Sequence, residues 1–248
     1  MENGLFQSRK IRAVIFDFDG TLYGDQKLWT RLVQETLADI SIKVTAEQAL
    51  DKARSMIADG TFYNISGIAI ALAQDSSVQG YDVNLRDRFL QKLDIIMDET
   101  GPGDELAHLL SSLQDHDIRM GIVTFQRLPR LQRRLEIWKL KQYFRSIVTP
   151  DHMAEFKPSP LPFIRAIDEL GVGARESLVV GDEPVDMIGA KKAGALAIGL
   201  PNGFFSREEL ARAGADRMLA SLSDLGALLL QERKAGCCGD SLHRYSNS

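Results

Sequence analysis

Ala13-Val14-Ile15-Phe16-Asp17-Phe18-Asp19-Gly20-Thr21 is the stretch on which the fold turns. Its apolar run, Val14-Ile15-Phe16, is short and rich in β-branched and aromatic residues, which suits a strand buried in a parallel sheet better than a helix. The run leads straight into two aspartates separated by one phenylalanine, then a glycine and a threonine. Carboxylates at the end of a buried strand are costly unless they are paired or bind a cation. The carboxyl end of the strands is also where open α/β sheets hold their ligands. A positive charge is expected at this loop.

Downstream of Thr21 the periodicity changes. Trp29, Leu32, Val33, Thr36, Leu37 and Ile40 recur at three- and four-residue steps, which predicts an amphipathic helix. Thr45 with Gln48 three residues later forms a capping-box pattern, opening a helix that carries Ala49, Leu50, Ala53, Met56 and Ile57 and stops at Gly60. Two more helical segments follow, around Ile65, Ile68 and Leu72, and around Leu85, Phe89, Leu93 and Ile96. Consecutive helices after a single strand predict an all-helical insert over residues 23–99, separate from the sheet.

Beyond Gly101-Pro102-Gly103, strand and helix alternate. A helix runs from Glu105 to Leu113 with Asp104 as its N-cap, and a strand, Ile118–Thr124, ends on a hydroxyl. Pro129 opens a helix, Ser146–Thr149 is a strand, and Pro158 opens the next helix. Ser177–Gly181 is a buried strand ending on Asp182, Pro184 opens a helix, and Ala195–Leu200 is a further strand. A last helix is expected over Leu219–Glu232, with a disordered tail over 235–248. Alternation of this kind predicts an α/β, doubly wound parallel-sheet (Rossmann-like) core over 10–22 and 100–232, with the inserted helical cap.

Composition narrows the function classes. A net charge of −4 and pI near 5.6 argue against wholesale polyanion binding, so no nucleic acid is expected as partner. The two cysteines, Cys237 and Cys238, are adjacent in a polar tail and offer neither a disulfide framework nor a zinc motif. No apolar run approaches the roughly 20 residues that span a bilayer, and Met1–Lys10 has no signal core, so a cytoplasmic protein without membrane contact is expected. His108, His116, His152 and His243 are not spaced like metal ligands. Arg127, Arg130, Arg133 and Arg134 cluster around the helix after Thr124. A solvated helix face is the simpler account of them, with Arg127 the member best placed to meet a second anion on a substrate.

Parallel topology sends every strand's carboxyl end to one edge. Asp17 and Asp19, Thr124, the Asp151–Lys157 loop, and Asp182 with Asp186 should therefore converge. Taken singly, each has an ordinary account: Asp-x-Asp as a turn, Thr124 as a strand-end hydroxyl, Lys157 as a surface lysine, Asp182 and Asp186 as helix-capping groups. Together they form a cleft of carboxylates that would repel without a cation. Oxygen-only ligands suit Mg²⁺, which commonly binds through one or two carboxylates and a substrate phosphate. Lys157, placed beside the helix that Pro158 opens, meets an unfavourable helix dipole that a bound anion would reverse.

The order Asp17-Phe18-Asp19-Gly20-Thr21, Thr124 after an apolar strand, Lys157 before a proline, and Gly181-Asp182-Glu183-Pro184-Val185-Asp186 resembles the four motifs of the haloacid dehalogenase-like hydrolase superfamily, in its phosphatase branch with a small α-helical cap, the phosphoglycolate phosphatase-like type. The likeness covers about residues 10 to 230. It departs at Phe125, where a small or amide residue is commoner, and at Phe156, where glycine is usual. The resemblance implies an Mg²⁺-dependent phosphatase acting on a small phosphorylated metabolite. Asp17 would be the nucleophile and Asp19 the acid and base. Thr124 and Lys157 would hold the phosphoryl group. The metal would be held by Asp17, the Asp19 carbonyl and Asp182, with Asp186 in support. Dehalogenases of the superfamily lack the second aspartate, so Asp19 points to phosphate. A sugar phosphomutase on the same core, or a catalytically silent binding protein, are the rival readings. The oligomeric state is left open.

Overall fold

A computed structural model of the chain describes residues 9–61, 64–76 and 84–229. Its centre is strand β1 (Ala13–Phe16), all four residues of which are shut off from solvent. Five further strands follow among the described residues: β2 (Arg119–Val123), β3 (Phe144–Val148), β4 (Ser177–Gly181), β5 (Leu196–Gly199) and β6 (Arg217–Met218). All pairs are parallel, in the order β3-β2-β1-β4-β5-β6. The chain winds from β1 toward β3 and then returns to wind the other way through β4 to β6. The switch point lies at β1 and β4, where such sheets form their binding crevice. The expected α/β, doubly wound core is the observed one.

The chain divides into two units by contact, one of residues Tyr23–Pro102 with Asn202–Phe204 and the other of the remainder. The first is helical: α1 (Gln26–Ala38), α2 (Ala46–Ala58), α3 (Ile65–Asp75) and α4 (Leu85–Thr100). Asp25 caps α1 by accepting from the Leu28 N–H at 2.8 Å, and the Thr45–Gln48 capping box of α2 is formed on both sides. Trp29, Leu32, Val33 and Leu37 of α1 are buried, as their spacing predicts. Asn202 ties its short segment in, its backbone oxygen accepting from Gln26 N and its side chain donating to Gly24 O.

In the sheet unit, α5 (Asp104–Asp115) and α6 (Leu128–Ile137) come before β3, and α7 (Leu161–Leu170), α8 (Pro184–Lys192) and α9 (Arg207–Arg212) after it. Residues 223–229 are helical too. Strand side chains alternate between faces. Ala13, Ile15, Val179 and Ala197 pack with Phe163, Ala166 and Leu170 of α7, Met187 and Ala190 of α8, and Leu210 of α9. The alternate residues, Val14, Phe16, Ile122, Val180 and Ile198, are equally buried on the other face. Burying a side chain of this size contributes about 1.5–3 kcal/mol.

Three expectations are corrected. Helix α7 starts at Leu161 and not at Pro158, so Lys157 does not stand at a helix N-terminus and the dipole argument for it fails. A proline past the first turn of a helix clashes with a preceding carbonyl. Pro162 therefore sets the start, since it must fall in the first turn. The expected helix from Leu219 is delayed to 223, because Arg217–Met218 adds an edge strand to β5 and Leu219 N still bonds Gly199 O. Arg134 is not on a solvated face: it is 1% exposed, one residue before the buried Leu135. The tail over 235–248, with Cys237, Cys238 and His243, lies outside the described residues. Among the described residues no helix is long and apolar enough to cross a membrane.

Candidate active site

The polar loops at the carboxyl ends of β1, β2, β3 and β4 meet in the sheet unit. Asp17 prolongs β1 by one bond, its N–H donating to Val180 O at 2.9 Å, which fixes its carboxylate beside the end of β4. There Lys157, from the loop after β3, reaches Asp17 Oδ1 at 2.5 Å and Asp186 Oδ1 at 2.7 Å. The lysine side chain is 1% exposed and those of Asp17 and Asp186 are 8% and 1% exposed, so this is a buried ion-pair triad. Such a cluster persists only where opposite charges compensate one another.

Asp182 is held from the other side. Thr21 Oγ1 donates to its Oδ1 at 3.2 Å. Gly20 sits between them with φ +85°, a left-handed conformation, and a Cβ there would collide with the Asp182 carboxylate. Gly181 is required in the same way, since a Cβ would overlap the Asp186 side chain. Asp182 is therefore not the cap of α8. Glu183 takes that place, and its N–H donates to Asp186 Oδ2 at 3.3 Å.

Asp17, Asp182 and Asp186 each present one carboxylate oxygen within 4.8 Å of the others. All three are hard oxygen donors, the set a divalent cation such as Mg²⁺ accepts, so the residues fit a metal ion. The electrostatics point the same way. Burial, reinforced by Asp17, Glu183 and Asp186, lifts the Asp182 carboxyl well above the usual range. Burial also raises Asp186 to about 6 against the pull of Lys157, and burial with the Asp186 and Asp17 charges raises Glu183 to about 8. Lys157 is the counterweight. Burial opposes its charge, yet Asp17 and Asp186 hold its pKa above the ordinary lysine value.

The Asp19 side chain is not among the clustered carboxylates. It is held by Gln126, whose Nε2 donates to Oδ1 at 2.8 Å and Oδ2 at 3.0 Å. Burial, then the nearby Asp17 charge, raises Asp19 to about 7, with Gln126, Arg134 and Lys157 pulling in the opposite direction. Thr124, 1% exposed at the end of β2, accepts from Gln126 N at 3.2 Å through its hydroxyl, which leaves the hydroxyl proton to donate elsewhere. Phe18, the residue between the two aspartates, stacks on Trp138 with centroids 5.8 Å apart and planes 10° from parallel. Arg134 lies over the same Trp138 ring at 5.7 Å.

All six residues singled out in the sequence are thus near one another. Asp17, Lys157, Asp182 and Asp186 form one cluster, and Asp19 and Thr124 are linked through Gln126. The two aromatic departures meet as well. Phe125 and Phe156 pack with centroids 5.2 Å apart, and Lys157 Nζ lies 5.3 Å from the Phe125 ring. Arg127 pairs with Asp151 at 2.5 Å on the surface. Of the histidines, His152 accepts from Thr149 N and His116 bonds Ser112 O, and neither joins the carboxylate cluster. Gln126 was not legible, since a lone glutamine carries no motif. Its one signal was a polar residue in the loop that follows a buried strand.

Fold and site define a doubly wound α/β enzyme with its charged groups gathered at the topological switch point. The chain matches the sequence model of the haloacid dehalogenase-like hydrolases over residues 14–200 and belongs to that family. It is 29% identical to a phosphoglycolate phosphatase of Rhodospirillum rubrum over 219 residues, 87% of this chain and 89% of the relative. It is 27% identical to pyrophosphatase PpaX of Listeria innocua, over 90% of this chain and 98% of the relative. Among solved structures, a HAD family hydrolase from Deinococcus radiodurans with bound phosphate and sodium aligns with a TM-score of 0.72 at 22% identity, covering 91% and 97% of the two chains. CbbY from Rhodobacter sphaeroides in complex with phosphate aligns at 0.66 and 26%, covering 88% and 99%.

Proposed function

We propose that the protein is an Mg²⁺-dependent phosphatase that hydrolyses a small phosphomonoester in the cytoplasm through an aspartyl-phosphate. One observation carries the reading: two carboxyl groups in one loop have different partners and surroundings. Asp17 is paired with Lys157, whereas Asp19, two residues on, keeps its proton to about pH 7. A buried carboxyl group that keeps its proton beside a second carboxyl group is placed to serve as the acid for a reaction at that neighbour.

In the first step an Asp17 carboxylate oxygen attacks phosphorus, the bond to the ester oxygen breaks, and Asp19 gives its proton to that leaving oxygen. In the second, Asp19 takes a proton from water as the water attacks phosphorus, and the bond to Asp17 breaks to release phosphate. Lys157 and the Thr124 hydroxyl proton hold the phosphoryl oxygens against their developing charge. Asp17, Asp182 and the Asp19 carbonyl, with Asp186 in support, would hold the Mg²⁺, which supplies further charge neutralisation at the phosphoryl group. The helical unit, inserted directly after the Asp17–Thr21 loop, acts as the cap that selects the substrate.

The test is a panel of phosphomonoesters assayed with Mg²⁺, with EDTA, and with Asp17→Asn and Asp19→Asn variants. Metal-dependent phosphate release that Asp17→Asn abolishes and Asp19→Asn slows is expected. Full activity in Asp17→Asn, or no hydrolysis of any phosphomonoester by the wild type, overturns the reading.

A further inference from the structure

Gln126 has no role in the proposed chemistry, yet it hydrogen-bonds the Asp19 side chain directly. Its residue is nine-tenths buried, and its amide nitrogen lies within hydrogen-bond reach of both Asp19 oxygens, at 2.8 and 3.0 Å. Its backbone is pinned too, the N–H donating to Thr124 Oγ1. Its Oε1, in contrast, is buried with no hydrogen-bond partner. Burying an amide with one end unsatisfied is costly, and an apolar side chain of similar size would avoid that cost. A residue kept there at such a cost is accounted for by what it does to Asp19.

We infer that Gln126 is a positioning residue: by grasping both Asp19 oxygens it fixes the rotation of that carboxyl group, aiming it at the leaving-group oxygen in the first step and at water in the second. The inference rests on the acid–base assignment of Asp19 above. A neutral amide suits the task better than a cation. It orients the group without binding it as an ion pair, and it supplies both a donor and an acceptor. The same short turn carries Thr124, so the phosphoryl contact and the Asp19 clamp are held in fixed relation by one stretch of backbone.

The test uses Gln126→Glu, which keeps the shape and removes the amide donor, and Gln126→Leu, with Asp19→Asn as control. Each is assayed with Mg²⁺ on glycerol 2-phosphate, whose alkoxide needs a proton to leave, and on p-nitrophenyl phosphate, whose phenolate does not. Misplacing a catalytic group by about 1 Å can cost up to about 100-fold. We therefore expect kcat/KM for the glycerol ester to fall at least about tenfold in both Gln126 variants, with kcat/KM for the nitrophenyl ester within about threefold of wild type. Inorganic phosphate should inhibit the variants and wild type alike. An equal fall on both esters marks a merely structural residue and overturns the inference, as does a Gln126→Glu enzyme with wild-type selectivity. The control separates the two levels. Asp19→Asn with undiminished turnover on both esters removes the acid–base assignment itself. Asp19→Asn showing the leaving-group pattern while the Gln126 variants do not removes only the role of Gln126.

Discussion

Replacing Lys157 by methionine removes the cation that, among the described residues, touches both Asp17 and Asp186, and leaves three clustered carboxylates without it. Methionine keeps the length and apolar character of the side chain, so the charge is the main change. Removing one partner of a buried ion pair costs about 3–5 kcal/mol, because the other charge stays buried. At about 2–4 °C per kcal/mol for a chain of this size, the metal-free variant should melt about 6–20 °C below the wild type at pH 8. Two conditions should shrink the deficit. At pH 5 the Asp186 carboxyl, raised to about 6, is mostly neutral, which removes much of the charge that Lys157 compensates. A bound cation shrinks it as well, by the amount by which it binds the variant more tightly than the wild type. The chain offers a local reporter, since its two tryptophans fall one to each unit, Trp29 in the helical unit and Trp138 in the sheet unit. In a Trp29→Phe background, Trp138 fluorescence follows the melting of the sheet unit alone. A Lys157→Met protein that melts within about 2 °C of its parent in EDTA at pH 8, or whose deficit is the same at pH 5, refutes the compensation argument.

Asp19 holds its proton to about pH 7 when folded, against about 3.8 unfolded, so the folded chain binds more protons between those values. This contribution is full below about pH 4 and is lost as pH rises through about 7. The metal-free protein should therefore melt higher at pH 5 than at pH 8 by calorimetry, and the opposite order contradicts the assignment. Gly20→Ala forces a left-handed residue, at about 1–2 kcal/mol, and drives a methyl into the Asp182 carboxylate; titration calorimetry should show Mg²⁺ binding weakened at least about tenfold, and unchanged binding counts against Asp182 as a ligand. Thr124→Val removes the hydroxyl proton at the proposed phosphoryl site and should lower kcat/KM by about 100-fold, with Thr124→Ser recovering most of it; equal loss in both variants would point to packing instead.

The sheet was legible because buried parallel strands declare themselves as short apolar runs, and Val14-Ile15-Phe16, Leu178-Val179-Val180 and Ala197-Ile198 need no tertiary information. Edge strand β6 was not, since two half-buried residues led by an arginine carry no pattern. The run Lys157-Pro158-Ser159-Pro160-Leu161-Pro162 offered three possible helix starts, and only the rule that the last proline must fall in the first turn selects among them. Arg134 was counted by charge and not by phase. It lies three residues after Leu131 and one before Leu135, on the buried side of α6. The charged members of the site were legible one by one from the loops they occupy. What distance in the chain concealed was the pairing: that Lys157 bridges two aspartates, that Phe125 meets Phe156, and that Gln126 holds Asp19.

The central place of β1 has a consequence for synthesis. It leaves the ribosome before the other described strands, and its two neighbours begin only at Arg119 and Ser177. Until then Val14, Ile15 and Phe16 have no sheet to enter, while the helices that follow can form from contacts near in sequence. A nascent chain stopped before β4 therefore carries Asp17 and Lys157 but not Asp182 or Asp186. Metal-binding competence should arrive abruptly, when β4 and α8 dock beside a strand made well over a hundred residues earlier.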